Sequence, residues 1–164
     1  MSRQHIISLL LENEAGALSR VAGLFSARAY NIESLTVAPT QDITLSRLTL
    51  VTVGSDETVE QIKKQLNKLI DVVKLIDLSE SFSLERELVL VKVKKNDAIV
   101  QKIEALEGDS LARITDETDG YLIIELSGET IWLNEFLSSL ENELIEVVRT
   151  GVIGLSRGER ALTL

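Results

Sequence analysis

Residues 6–29, IISLLLENEAGALSRVAGLFSARA, change periodicity partway along, and that change decides the fold. The run 6–11 is apolar, short and closed by Glu12, which predicts a buried strand. After the loop 12–16, Leu18, Val21, Ala22 and Phe25 recur at helical spacing up to Ala29. Working outward, 32–38 and 45–53 read as strands rich in β-branched residues, joined by 39–44, which has turn chemistry. Val59, Ile62, Leu66 and Leu69 mark a second helix, with Ser55 or Asp56 as N-cap, and 72–78 reads as a fourth strand. The order is β-α-β-β-α-β.

That order then repeats. Residues 79–84, SESFSL, are polar and serine-rich and read as a linker. Beyond them come a strand at 88–93 and a helix at 97–106 with Ile99, Val100, Ile103 and Leu106 on one side. Strands at 110–115 and 121–127 form a hairpin around 116–120, Ile131, Phe136, Leu137 and Leu140 suggest a helix, and 144–149 closes the unit. A tail, 150–164, contains Gly151, Gly154 and Gly158. The expected class is α+β, two tandem ferredoxin-like βαββαβ domains at 1–78 and 85–164 separated by the linker 79–84. In each, two helices cover one face of an antiparallel four-stranded sheet. The other face and the sheet edges must meet solvent or another chain, so pairing of two copies is a physical expectation.

Composition narrows the function. Hydrophobic residues are 45% of 164 and aromatics only 4%, so the core rests on aliphatic side chains. The absence of cysteine excludes disulfides, thiolate catalysis and cysteine-ligated metals. Net charge is −9 and unevenly placed: 1–78 carry 8 Lys/Arg against 9 Asp/Glu, while 79–164 carry 9 against 17. Binding a phosphate backbone needs clustered positive charge, so no nucleic-acid partner is expected. The first apolar run, 6–11, is too short for a signal-peptide core or a membrane span, so a cytoplasmic chain with no membrane partner is expected.

Motifs for catalysis are lacking. His5 is the single histidine, and no orienting carboxylate can be placed beside it from the sequence. The group 116–120, DETDG, lacks the spacing of an EF-hand and reads as a turn. The tail RTGVIGLSRGE, 149–159, fits neither a phosphate-binding loop nor a dinucleotide fingerprint, and Ser156 lacks a hydrolase elbow. No catalytic residue, metal site or cofactor is expected, which favours a binding role.

One loop suits a small ligand. Asn13-Glu14-Ala15-Gly16 precedes the first helix, whose N-terminal N–H groups and partial positive charge suit a carboxylate. A glycine permits close approach to the backbone, and the Asn13 amide can donate or accept. On these residues alone, an ordinary helix start after a tight loop is the simpler reading.

The stretch ENEAGALSRVAGLFSARAYNIESLTVAPT, 12–40, resembles the ACT domain of acetolactate synthase small subunits. The same family is resembled by SRLT at 46–49, ERELVLVKV at 85–93 and RTGVIGLSRGE at 149–159. The resemblance implies a regulatory subunit without catalytic residues or cofactors of its own. Such a subunit stimulates a catalytic large subunit, which carries thiamine diphosphate, magnesium and FAD, and makes it sensitive to feedback by valine. It implies a homodimer through ACT domains with valine, or another branched-chain amino acid, at their interface. The matching positions are Asn13, Ala15, Gly16, Ala17 and Leu18 from one copy and Asn31 and Ile32 from the other, with Ala38 as a pocket-shaping position. The natural effector among the branched-chain amino acids stays open, as does the alternative of a free-standing ACT-type sensor acting on another metabolic or transcriptional partner. Two departures stand out. Ala29 replaces the family's glycine just past the first helix, and Glu107-Gly108 replaces its usual Arg-Gly within the poorly matching stretch 94–120.

Overall fold

A computed structural model describes residues 2–80, 82–106 and 111–164. The chain divides into two compact units, one made of 1–84 with 152–164 and the other of 85–151.

In the first unit, β1 (Arg3–Glu12), α1 (Ala17–Ala27), β2 (Ser34–Pro39), β3 (Leu45–Gly54), α2 (Asp56–Leu66) and β4 (Val72–Asp77) follow the expected order. The strands form one antiparallel sheet in the order β2-β3-β1-β4. Alternation along β1 sends Ile7, Leu9 and Leu11 to the helix side, where they pack with Leu48 and Leu50, with Val21, Leu24 and Phe25 of α1, and with Val59, Ile62 and Leu66 of α2. Helix α2 starts where the sequence places it: the Ser55 hydroxyl accepts from the Thr58 backbone N–H at 3.2 Å. Asp56 and Glu57 lie at its positive end and Lys63 and Lys64 at its negative end.

The second unit repeats the plan with β5 (Ser83–Lys94), α3 (Asp97–Glu104), β6 (Leu111–Thr118), β7 (Tyr121–Gly128), α4 (Thr130–Ser138) and β8 (Leu144–Arg149), in sheet order β6-β7-β5-β8. Its core joins Val89, Val91 and Val93 to Leu122, Ile124 and Leu126, under Ile99, Ile103, Leu133 and Phe136 of the helices. Asn96 caps α3 by accepting from the Ala98 N–H at 2.9 Å.

Three expectations change. The linker at 79–84 is shorter, because a 3-10 turn occupies Leu78–Glu80 and β5 begins at Ser83. The hairpin loop expected at 116–120 contracts to Asp119-Gly120, with φ of 51° and 79°. Two left-handed residues make the turn whose twist matches the flanking strands, so Asp116, Glu117 and Thr118 stay in the ladder. The tail does not belong with the second unit. It contains β9 (Ile153–Ser156), and Val152 and Leu162 pack against Ile6, Leu10, Val51, Ile76 and Leu78 of the first unit. The reason is the apolar character of that helix-free sheet face, which the tail removes from water. The expected strand start at Ser110 and the Glu107-Gly108 substitution lie outside the described residues, as does Ser81 of the linker.

Candidate functional site

The loop after β1 is tied to strands on both of its sides. Toward β3, the Asn13 N–H donates to the Thr44 carbonyl at 2.7 Å, and its side-chain Nδ2 donates to the Ile43 carbonyl at 2.9 Å. The Asn13 Oδ1 accepts from the Ser46 hydroxyl at 3.1 Å. The Asn13 amide, read from the sequence as a ligand group, thus has its oxygen and one of its two N–H donors engaged in holding the β2–β3 connection. Toward β4, the Glu12 N–H donates to the Asp71 carbonyl at 2.9 Å.

Gly16 is the N-cap of α1 at φ 91°, with no side chain capping the helix and no acidic residue in its first turn. The positive end of the helix is therefore not neutralised by its own residues. Ala17 is buried and Leu18 exposed, so the first turn presents one face to the core and one outward. One turn on, Arg20 forks onto Asp71, with Nε donating to Oδ2 at 2.5 Å and Nη2 to Oδ1 at 2.6 Å. The hydrogen bonds from Arg20 hold the Asp71 carboxyl below its ordinary range. A Cβ on Gly16 would lie 2.9 Å from Nη1 at the end of the Arg20 side chain, which would have to give way, and the left-handed φ favours glycine there whatever the space. Ala15 is exposed in this turn.

The second group lies at the far end of α1. The helix closes at Arg28, and Ala29 takes φ 54°, the left-handed conformation that the family's glycine suits. Asn31 is exposed, donates to Glu33 at 2.5 Å, and its carbonyl accepts from the Thr52 hydroxyl at 2.7 Å. Ile32 is half-buried against the helix-side core. Thr52 pairs with His5 and Leu45 with Glu12, so Asn31 and the Asn13 loop mark opposite ends of the β1–β3 ladder, roughly 24 Å apart at 3.4 Å per residue. One protomer does not bring the two groups together. Ala38 sits on β2 opposite Arg47 and lines a cavity of about 670 Å³ with Leu10, Pro39 and Leu45.

His5 is buried, 3.4 Å from Asp56 and 4.0 Å from Asp77, at the end of the sheet away from the loop. Asp77 also faces Lys63 at 3.5 Å. Burial draws the Lys63 ammonium down, but hydrogen bonds to Glu60 and Glu80 outweigh it and hold Lys63 above its ordinary range. Sequence reading missed both the Arg20–Asp71 fork and this charged cluster, because their members lie on separate elements. Among the described residues, no group of His, Asp and Glu is arranged to hold a metal ion, and no helix is long and apolar enough to cross a membrane.

The fold defines a class: a chain of two tandem ferredoxin-like βαββαβ units, the first of them of the ACT type. Residues 7–74 match the AHAS small subunit-like ACT domain, and residues 86–158 match the family described as small subunit of acetolactate synthase. The chain belongs to the acetolactate synthase small-subunit family. It is 51% identical to the acetolactate synthase small subunit of Haemophilus influenzae, over 96% of this chain and 98% of that one. It is 47% identical to the isozyme 3 small subunit of Escherichia coli, over 97% and 99% of the two chains. The crystal structure of the small subunit from Thermotoga maritima superposes with a TM-score of 0.84 at 34% identity, over 96% of this chain and 99% of that one. Membership assigns the chain a regulatory role in branched-chain amino acid biosynthesis.

Proposed function

We propose that two copies of this chain pair through the ACT sheet, bind the catalytic large subunit of acetolactate synthase and stimulate it. In the same reading, pairing confers feedback inhibition by valine held between the copies. The observation that carries this reading is the separation of the two candidate groups along β1–β3. Strand β2 is an edge strand, so a two-fold axis across it would add a second β2 antiparallel to the first. The start of β2 in one copy, beside Asn31 and Ile32, then faces the end of β2 in the other. There the Ile43–Ser46 segment is bonded to Asn13. A site absent from the monomer forms at each end of the paired strands.

In that site the first-turn N–H groups of α1, together with Ala15, Gly16, Ala17 and Leu18, receive the carboxylate of the amino acid. Asn31 receives its ammonium through an oxygen, and Ile32 and Leu18 flank the branched side chain. Ala38 lies on the same edge strand and limits the room available. Effector binding needs only a differential affinity for two arrangements of the paired domains, on the order of 1–3 kcal/mol, to be read by the catalytic subunit.

The test is reconstitution with the large subunit and a valine titration of acetolactate formation. Asn31→His and Gly16→Ala should each raise the valine concentration for half-inhibition at least tenfold while stimulation of the large subunit persists. Full valine sensitivity in both variants would place the effector elsewhere.

A further inference from the structure

Arg47 projects from β3 onto the helix-free face of the first unit's sheet, next to buried Ser8 and Thr49. Among the described residues its side chain makes two hydrogen bonds, both to uncharged oxygens: Nε donates to the Ser8 hydroxyl at 3.3 Å and Nη2 to the Gly154 carbonyl at 3.0 Å. No carboxylate among the described residues pairs with it, and burial lowers its pKa without an opposing acidic neighbour. A partly buried guanidinium that lacks an anion has paid desolvation without the Coulombic return.

The tail completes a cavity of about 270 Å³ around this group. Its lining contains a second guanidinium, Arg160, the apolar residues Ile76, Leu155, Ala161 and Leu162, and no acidic residue. Arg160 also makes no ion pair among the described residues. Arg47 lines the larger, mainly apolar cavity on the Ala38 side as well, with Leu162 and Thr163 common to both; the acidic residue of that larger cavity, Asp42, has its Oδ1 engaged by the Thr44 N–H and hydroxyl.

We propose that this cavity binds a short aliphatic carboxylate lacking an ammonium group, at a site separate from the α1 loop. A planar guanidinium matches a carboxylate two-pronged, and the aliphatic walls accommodate a small hydrocarbon body. The discrimination follows from what the lining lacks. An α-amino acid would bring its ammonium beside two guanidinium groups with no carboxylate to receive it, so the cavity selects against the ligand class that the α1 loop suits. The site uses residues of a single copy and does not rest on pairing or on valine.

The test compares three molecules sharing one carbon skeleton, and inorganic phosphate, on the full chain, followed by amide and arginine Nε–H resonances in solution NMR. The probes are 3-methylbutanoate; valine, which adds only the ammonium; 3-methylbutan-2-one, which lacks the charge; and inorganic phosphate, which lacks the body. The expected result is saturable shifts at Arg47 and at Ala161–Thr163 with 3-methylbutanoate alone. Arg47→Gln and Arg160→Glu should each weaken binding at least tenfold. Arg160 is exposed, so its variant should keep the wild-type melting temperature and separates lost binding from lost folding. Absence of shifts with 3-methylbutanoate, equal shifts with valine, with the ketone or with phosphate, or affinity unchanged in Arg160→Glu would each overturn the proposal.

Discussion

Replacing Ala29 with glycine should stabilise the protein. Ala29 holds φ 54° immediately after α1, in a turn where the Tyr30 N–H reaches back to the Phe25 carbonyl at 3.0 Å and the Ala29 N–H to the Ser26 carbonyl at 3.2 Å. These bonds satisfy the last carbonyls of the helix and require the left-handed conformation. For an L-residue with a Cβ that conformation costs about 1–2 kcal/mol, because the Cβ crowds the following carbonyl. Glycine removes the cost but widens the unfolded ensemble, which returns about 0.4–1 kcal/mol. The net expectation is a gain on the order of 0.5–1 kcal/mol, a rise of roughly 1–4 °C for a chain of this size. Differential scanning calorimetry at several scan rates, with urea unfolding at 25 °C, measures it, and Ala29→Val supplies the opposite sign because a β-branched residue fits the region worse. An unchanged or lower midpoint in Ala29→Gly, with the m-value preserved, would refute the assignment of strain to this position.

Two further perturbations probe the first unit. The Asp71 carboxyl, whose ordinary value is 3.8, is held lower in the folded state by Arg20, so the fork's contribution is fully present above that value and is lost as pH falls through the folded one. Urea unfolding should therefore show Asp71→Asn weaker than the wild type at pH 6, with the gap closing toward pH 3; a gap that stays constant or widens would contradict the linkage. Leu162 is buried on the helix-free face with Ile6, Leu10, Val51 and Ile76, so Leu162→Ala should cost about 2–4 kcal/mol by large-to-small truncation. A loss below about 0.5 kcal/mol would mean that the tail is not seated on that face.

How much of this was legible from the sequence follows the distance over which each signal acts. The βαββαβ order was legible twice, because strand and helix periodicities are local and Ser55 announces its helix within three residues. The seating of the tail was not legible: Val152 and Leu162 meet β1 side chains more than a hundred residues earlier, and apolar spacing within the tail does not say which sheet it covers. In the candidate site, the place of Gly16 at the start of α1 was legible but its left-handed φ was not read from the sequence, and the engagement of Asn13 with Ile43 and Ser46 depends on contacts 30 and 33 residues away. The Arg20–Asp71 fork spans 51 residues, and nothing near either residue marks the other as its partner. Ala29 stood out through the family resemblance, and its φ gives the physical reason a glycine suits that position.

The way the Asn13 loop is held constrains how it can read a ligand. Asn13 already spends its oxygen and one donor on the β2–β3 connection, and Arg20, the cation beside Gly16, is committed to buried Asp71. A carboxylate arriving at α1 is thus left chiefly with the remaining backbone N–H groups of the first turn, the Ala17 N–H being bonded to the Glu14 carbonyl, behind a glycine whose φ of 91° disfavours any side chain. Backbone donors recognise the carboxylate shared by all amino acids and say nothing about the side chain. Within one copy, Leu18 is the one proposed side-chain contact beside that end, and Asn31 and Ile32 are too far along the ladder to add to it. On the proposed pairing, affinity for the common carboxylate would come from the fold of a single chain, and selectivity chiefly from the pairing of two. Substitutions along the β2 edge should accordingly change which amino acid is preferred more than how tightly a carboxylate is held.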